Sequence, residues 1–197
     1  REIVLDILSQ SEIIYLVLIM IATAIPAGFA AGLFGIGGGL VTVPILFYIF
    51  SFSGIETAYV MHLAVGTSFG IIIPTSTVSV FTHHQHKAVD FSIVRGFGFF
   101  VAAGVVLGTI FAASLETKPL ILFFTIIVYV LAFYLLFLKE KETNIEIKIG
   151  LFSKAISGIL SGFISAPMGI GGAVMNVPIL KFFGYPINKA IGSAAAI

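Results

Sequence analysis

Two glycine runs are the residues of this chain best placed to do chemistry. Gly35, Gly37, Gly38 and Gly39 fall together in one apolar stretch, and Gly169, Gly171 and Gly172 fall together in another. Glycine permits positive φ and leaves the backbone uncovered, so a helix breaks or turns at such a run. In lipid an unsatisfied backbone N–H is costly, so a break survives only inside protein or beside a water-filled cavity. A helix restarting just after it, near Leu40, offers N–H groups that lack intrahelical partners, and its dipole favours an anion. Thr42 adds a hydroxyl donor at this end, and Asn176 an amide at the other. Pro44 and Pro178, tolerated near the start of a helix, would fix the two restarts. Two such N-termini facing each other form a small-anion site that needs no charged side chain. Between Glu12 and Glu56 there is indeed no Asp, Glu, Lys, Arg or His.

The competing reading is that these glycines only let helices pack closely. Gly28 and Gly32, Gly104 and Gly108, and Gly158 and Gly162 all have the small-xxx-small spacing of helix contacts, and for these three pairs packing is the expected role. His62 opens an apolar span and reaches toward the same site with Thr67 or Ser68, or else caps a helix end at the interface. Ser193 matches Thr67 in the second copy and is a further lining candidate. His83, His84 and His86 read as a solvated loop, since no ligand set completes a metal site around them. No Ser/His/Asp set, HExxH motif or intramembrane Asp pair is present, and GIGGG does not fit a dinucleotide fingerprint. We therefore expect neither an enzyme nor a bound cofactor.

The elements that must hold these residues are duplicated. Gly28–Leu46 (GFAAGLFGIGGGLVTVPIL) and Gly162–Leu180 (GFISAPMGIGGAVMNVPIL) align at an offset of 134 with 10 of 19 positions identical. Further on, Ala64–Ser68 aligns with Ala190–Ala194 at an offset of 126. The chain is 59% hydrophobic and 10% charged, with a mean hydropathy of +1.17. Soluble domains carry about 25% charged residues, so this composition fits an all-α, polytopic helix bundle whose main partner is the lipid bilayer. A net charge of +1 without basic–aromatic clusters gives no sign of nucleic-acid binding, and the absence of cysteine excludes thiol chemistry.

Spans are expected at Ile13–Leu33, His62–Thr82, Phe91–Ala113, Leu120–Leu138 and Leu151–Phe183, the last repeating the glycine break. Leu40–Phe50, at 11 residues, is too short to cross as a straight helix. This divides the chain into a first repeat, 1–138, a linker, 139–150, and a second repeat, 151–197, which stops short of the spans the first contains. The basic loops 83–95 and 139–154 carry six Lys/Arg between them, against Lys118 alone in Ser114–Pro119. Positive-inside counting therefore puts loops 83–90 and 139–150 in the cytoplasm. Hydropathy leaves open whether the repeats are parallel or inverted.

At these residues the chain resembles the TauE/SafE (sulfite exporter-like) family of membrane permeases. The likeness rests on both glycine segments, on HLAVGTSF (His62–Phe69) and on the basic loop HHQHKAVD (His83–Asp90). Departures are Ala173 in place of the last glycine, Asn188 where the first repeat has His62, and the absent final spans. The resemblance implies a transporter of small sulfur-containing or related organic anions, such as sulfite or sulfonates, in a prokaryotic cell membrane, with a coupling ion as a further partner. An anion channel, or a non-transporting subunit packed against a partner, are the alternatives.

Overall fold

The computed structural model describes residues 10–34, 38–137 and 150–197. Gly35, Gly37 and nearly all of the 139–150 linker lie outside them. The described residues form eight helices and no strand: α1 (Gln10–Phe34), α2 (Gly39–Phe52), α3 (Val60–Gln85), α4 (Phe91–Ser114), α5 (Thr117–Phe137), α6 (Leu151–Met168), α7 (Ala173–Phe182) and α8 (Ile187–Ala195). Of these, α3, α4, α5 and α6 are each long and apolar enough to cross a bilayer. Large apolar side chains such as Phe99, Tyr129, Phe133 and Phe152 face outward, as a lipid-facing surface requires.

The tightest joint is α4 against α6. A Cβ on Gly104 would stand 2.2 Å from Ile159 O, and one on Gly162 would stand 2.1 Å from Val101 O. Cβ atoms on Gly108 and Gly158 would meet Phe163 O at 2.5 Å and Phe100 Cβ at 2.8 Å. Small residues here let two backbones touch, the main route to helix association where lipid removes the hydrophobic drive. Gly28, by contrast, has nothing within 4 Å of its Cβ position. The contacts climb together along both helices, from Phe100 with Gly158 to Gly108 with Phe163, so α4 and α6 run parallel. The starts of α4 and α6 therefore lie on one side of the bundle.

At that side α4 begins under Asp90, whose carboxylate accepts from Ser92 N (3.0 Å) and Ser92 Oγ (2.7 Å). The Ser92 hydroxyl, helped by the Ser92 amide and Lys189 at 3.7 Å, holds this carboxyl below its usual range. Two apolar clusters mark the two ends of the bundle. Ile93, Phe97, Leu180, Phe183 and Ala190 gather the start of α4, the end of α7 and α8. Val43, Met61, Ala112, Leu120 and Met168 gather α2, the start of α3, the end of α4, the start of α5 and the end of α6.

These clusters fix the directions of the short helices. α7 ends beside Phe97, whose ring meets Phe183 edge-on with centroids 6.3 Å apart, within the range of about 4.5–7 Å usual for such pairs. α2 ends toward the opposite side, where Thr117 Oγ1 donates to Ala58 O and His62 Nε2 lies 3.2 Å from Ala112 O. Thus α2 and α7 point in opposite directions across the bundle. Both close in the same way, on a glycine at positive φ: Gly54 (φ +76) and Gly184 (φ +85). The residue after each then bonds back into the last turn, Ile55 N to Phe50 O and Tyr185 N to Leu180 O.

Candidate anion site at the glycine runs

The break after α6 is built by a left-handed glycine. Gly169 has φ +60, its N–H donates to Ala166 O, and Ile170 N donates to Ser165 O, which is the Schellman pattern that ends a helix. The Gly169 carbonyl is then free to turn away from α6. It accepts a buried 2.7 Å hydrogen bond from Ser68 Oγ on α3. Against the same carbonyl lies the start of α2. A Cβ on Gly39 would meet Gly169 O at 2.2 Å and Ile170 Cα at 2.6 Å. The two glycine runs therefore touch backbone to backbone.

Helix α7 restarts at Gly172, whose φ of −56 is open to any residue. A Cβ there would sit 2.5 Å from Asn176 Nδ2, the tip of a side chain, so the amide would have to give way. Asn176 is fully buried, and its Oδ1 accepts from Ser161 Oγ on α6. Its Nδ2 has no partner among the described residues. Ser165, one turn beyond Ser161 on the same face of α6, is also buried, with its Oγ unpartnered among the described residues. The equivalent position in α2 behaves differently. Thr42 Oγ1 donates to Gly38 O at 2.8 Å, so its proton is spent within its own helix and it offers lone pairs rather than the expected donor.

A cavity of about 1280 Å³ opens at this junction. Of the residues expected at a site, Gly38, Gly39, Thr42, Ser68, Gly171 and Gly172 line it. Ser165 lines it too, a residue the sequence reading passed over, and one face of α3 extends the wall through Ser76 and Ser79 to His83. No Asp, Glu, Lys or Arg is among the described lining residues.

Other expected residues lie elsewhere. His62 is bonded toward Ala112 at the end of α4, with its Nδ1 buried and unpartnered, and ties helices together away from the cavity. Thr67 turns from the glycines because each helical residue rotates the side chain by about 100°, and its neighbour Ser68 takes the inward place. Ser193 accepts from Asp90 N at 3.0 Å and joins α8 to the loop before α4. Pro44 and Pro178 sit at the sixth position of α2 and α7 rather than in the first turn. There each removes an N–H that would have bonded to Leu40 or Val174 O.

The family described as Sulfite exporter TauE/SafE matches residues 20–197. The chain belongs to the TauE/SafE family. It is similar to a probable membrane transporter protein of Haemophilus influenzae, 36% identical over 169 residues, which cover 86% of this chain and 64% of that protein. A second, probable membrane transporter protein MJ0441 of Methanocaldococcus jannaschii, is 29% identical over 195 residues, 95% of this chain and 70% of that one. YunE of Bacillus subtilis, also a probable membrane transporter protein, is 24% identical over 208 residues, 91% of this chain and 72% of its own. The chain thus spans roughly two thirds of the length of these TauE/SafE relatives. No solved structure matches it. As a TauE/SafE member with four described helices fit to cross a bilayer, it is a multi-pass membrane protein of a transporter family.

Proposed function

We propose that this chain forms the substrate site of a permease for a small anion, with sulfite, a sulfonate or a related sulfur-containing or organic anion as cargo. One observation carries the reading: Gly39 lies against Gly169 and Ile170 beside a cavity from which α2 and α7 leave in opposite directions. Broken helices whose N-termini meet near the middle of a bundle, in segments of inverted sense, are how many secondary transporters hold an anionic group. The duplicated sequence makes residues 1–138 and 151–197 two versions of one unit, joined by the 139–150 linker. Loops 83–90 and 139–150 face the cytoplasm of the cell membrane in this reading, and the gradient of a coupling ion drives the cycle.

Thermal melting of purified protein with sulfite, sulfate and methanesulfonate tests the site, using a Gly38→Val/Gly172→Val variant as the blocked form. At least one anion raises the melting temperature of the natural sequence and leaves a folded variant unmoved. Equal stabilisation of both proteins, or of neither, would return the glycines to a packing role.

A further inference from the structure

We infer that anion recognition is asymmetric, with Ser165 Oγ–H and Asn176 Nδ2–H as the side-chain donors and Ser161 as the residue that orients the Asn176 amide. The inference rests on the anion-site reading above and goes beyond it in naming which groups touch the cargo.

Three observations support it. First, Ser161, Ser165 and Asn176 are 1%, 3% and 0% exposed, yet only one hydrogen bond is made among them. Buried polar atoms are nearly always paired, so two orphans within one polar group point to a partner that comes and goes. Second, Ser165 lines the cavity, and the orphaned Nδ2 of Asn176 lies against cavity-lining Gly172, in the space where a Cβ would be. Third, the bond from Ser161 Oγ occupies Asn176 Oδ1 and so leaves the amide's donor end as the open one. A donor end turned toward the start of α7 adds to the N–H groups there and suits an oxyanion.

The aligned positions of the first repeat differ. The positions that align with Ser161 and Ser165 are Ala27 and Ala31, and Thr42, which aligns with Asn176, gives its proton to Gly38 O. The cargo would thus be held by backbone from both runs and by side chains from the second run alone. The chemistry fits a small oxyanion with at least two acceptor oxygens. It gives no advantage to a cation, and the site has no guanidinium to select a carboxylate by a bidentate grip.

The test uses the whole chain in detergent with sulfate and methanesulfonate as probes, reading both anion-free melting temperature and Kd. Ser165→Ala removes an unpaired buried hydroxyl, so the anion-free protein melts at the same temperature or higher while Kd rises ~5–10-fold. Ser161→Ala frees the amide to rotate and weakens binding ~3–10-fold, and Ser161→Thr, which keeps the hydroxyl, restores it. A lower melting temperature with unchanged Kd in Ser165→Ala would make Ser165 a packing residue and overturn the assignment. Unchanged Kd in Ser161→Ala would overturn the orienting role. Should Ser161→Ala not fold, the Ser165→Ala and Ser161→Thr pair still decides. If the natural sequence binds neither probe, the anion site itself fails and this inference with it, an outcome distinct from intact binding in the variants.

Discussion

Two neighbouring glycines should respond oppositely to one added methyl group. A Cβ at Gly39 would stand 2.2 Å from Gly169 O and 2.6 Å from Ile170 Cα, short of ordinary contact at 3.4 Å by about 1.2 Å and 0.8 Å. Both obstacles are backbone, so no side chain can swing aside, and the two glycine runs must part. Overpacking of this kind costs about 1–3 kcal/mol. Parting also strains the Ser68–Gly169 hydrogen bond, adding about 1 kcal/mol. At Gly38 the same methyl group meets only Thr42 Oγ1, at 3.8 Å. Gly39→Ala should therefore lose about 3 kcal/mol, roughly 6–12 °C in melting temperature for a chain of this size. Gly38→Ala should stay within about 0.5 kcal/mol of the natural sequence. The chain has no Trp and no Cys, so melting is best followed by circular dichroism of the helices rather than by indole or thiol probes. If Gly39→Ala melts with the natural sequence, or Gly38→Ala falls as far, the two breaks do not touch as described.

The joint of α4 and α6 offers a second contrast: Gly162→Ala, 2.1 Å from Val101 O, should cost about 2–3 kcal/mol, while Gly28→Ala, in open space, should leave the melting temperature unchanged. Equal effects at the two positions would count against the close contact. Asp90 caps α4, so Asp90→Ala should cost about 1 kcal/mol at neutral pH. Because folding lowers the Asp90 pKa, its contribution is present above the unfolded value of 3.8 and is lost as pH falls through the depressed value. The melting gap between Asp90→Ala and the natural sequence should therefore narrow below pH 3.8, and a gap constant across that range would refute the assignment.

Most helices were legible because apolar runs long enough to cross lipid leave little choice. Phe91–Ala113 is expected and α4 spans Phe91–Ser114; Leu40–Phe50 is expected as a short segment and α2 spans Gly39–Phe52. Direction was not legible, since hydropathy is blind to which way a short helix points. It took the contacts of Phe183 with Phe97 and of His62 with Ala112 to orient α7 and α2. The side chains of the site were half legible. Thr42, Ser68 and Asn176 stand out as polar residues beside glycine, and all three lie at the junction. Ser161 and Ser165 are not among the identical positions that mark the glycine segments; their signal is a difference, two serines four apart where the aligned segment has Ala27 and Ala31. His62 misled because HLAVGTS reads as one unit, although six residues along a helix shift a side chain by about 9 Å and onto another face.

The opposed directions of α2 and α7 also bear on how a membrane voltage would act. Each short helix carries roughly half an elementary charge of either sign at its two ends. A field along the bundle pulls on one of these dipoles and pushes on the other, so their electrical work largely cancels. The scaffold that holds the cargo would then contribute little gating charge of its own. Any steep dependence of flux on potential, at about 2.3 kcal/mol per charge per 100 mV, would report the ions being moved and not the helices that hold them.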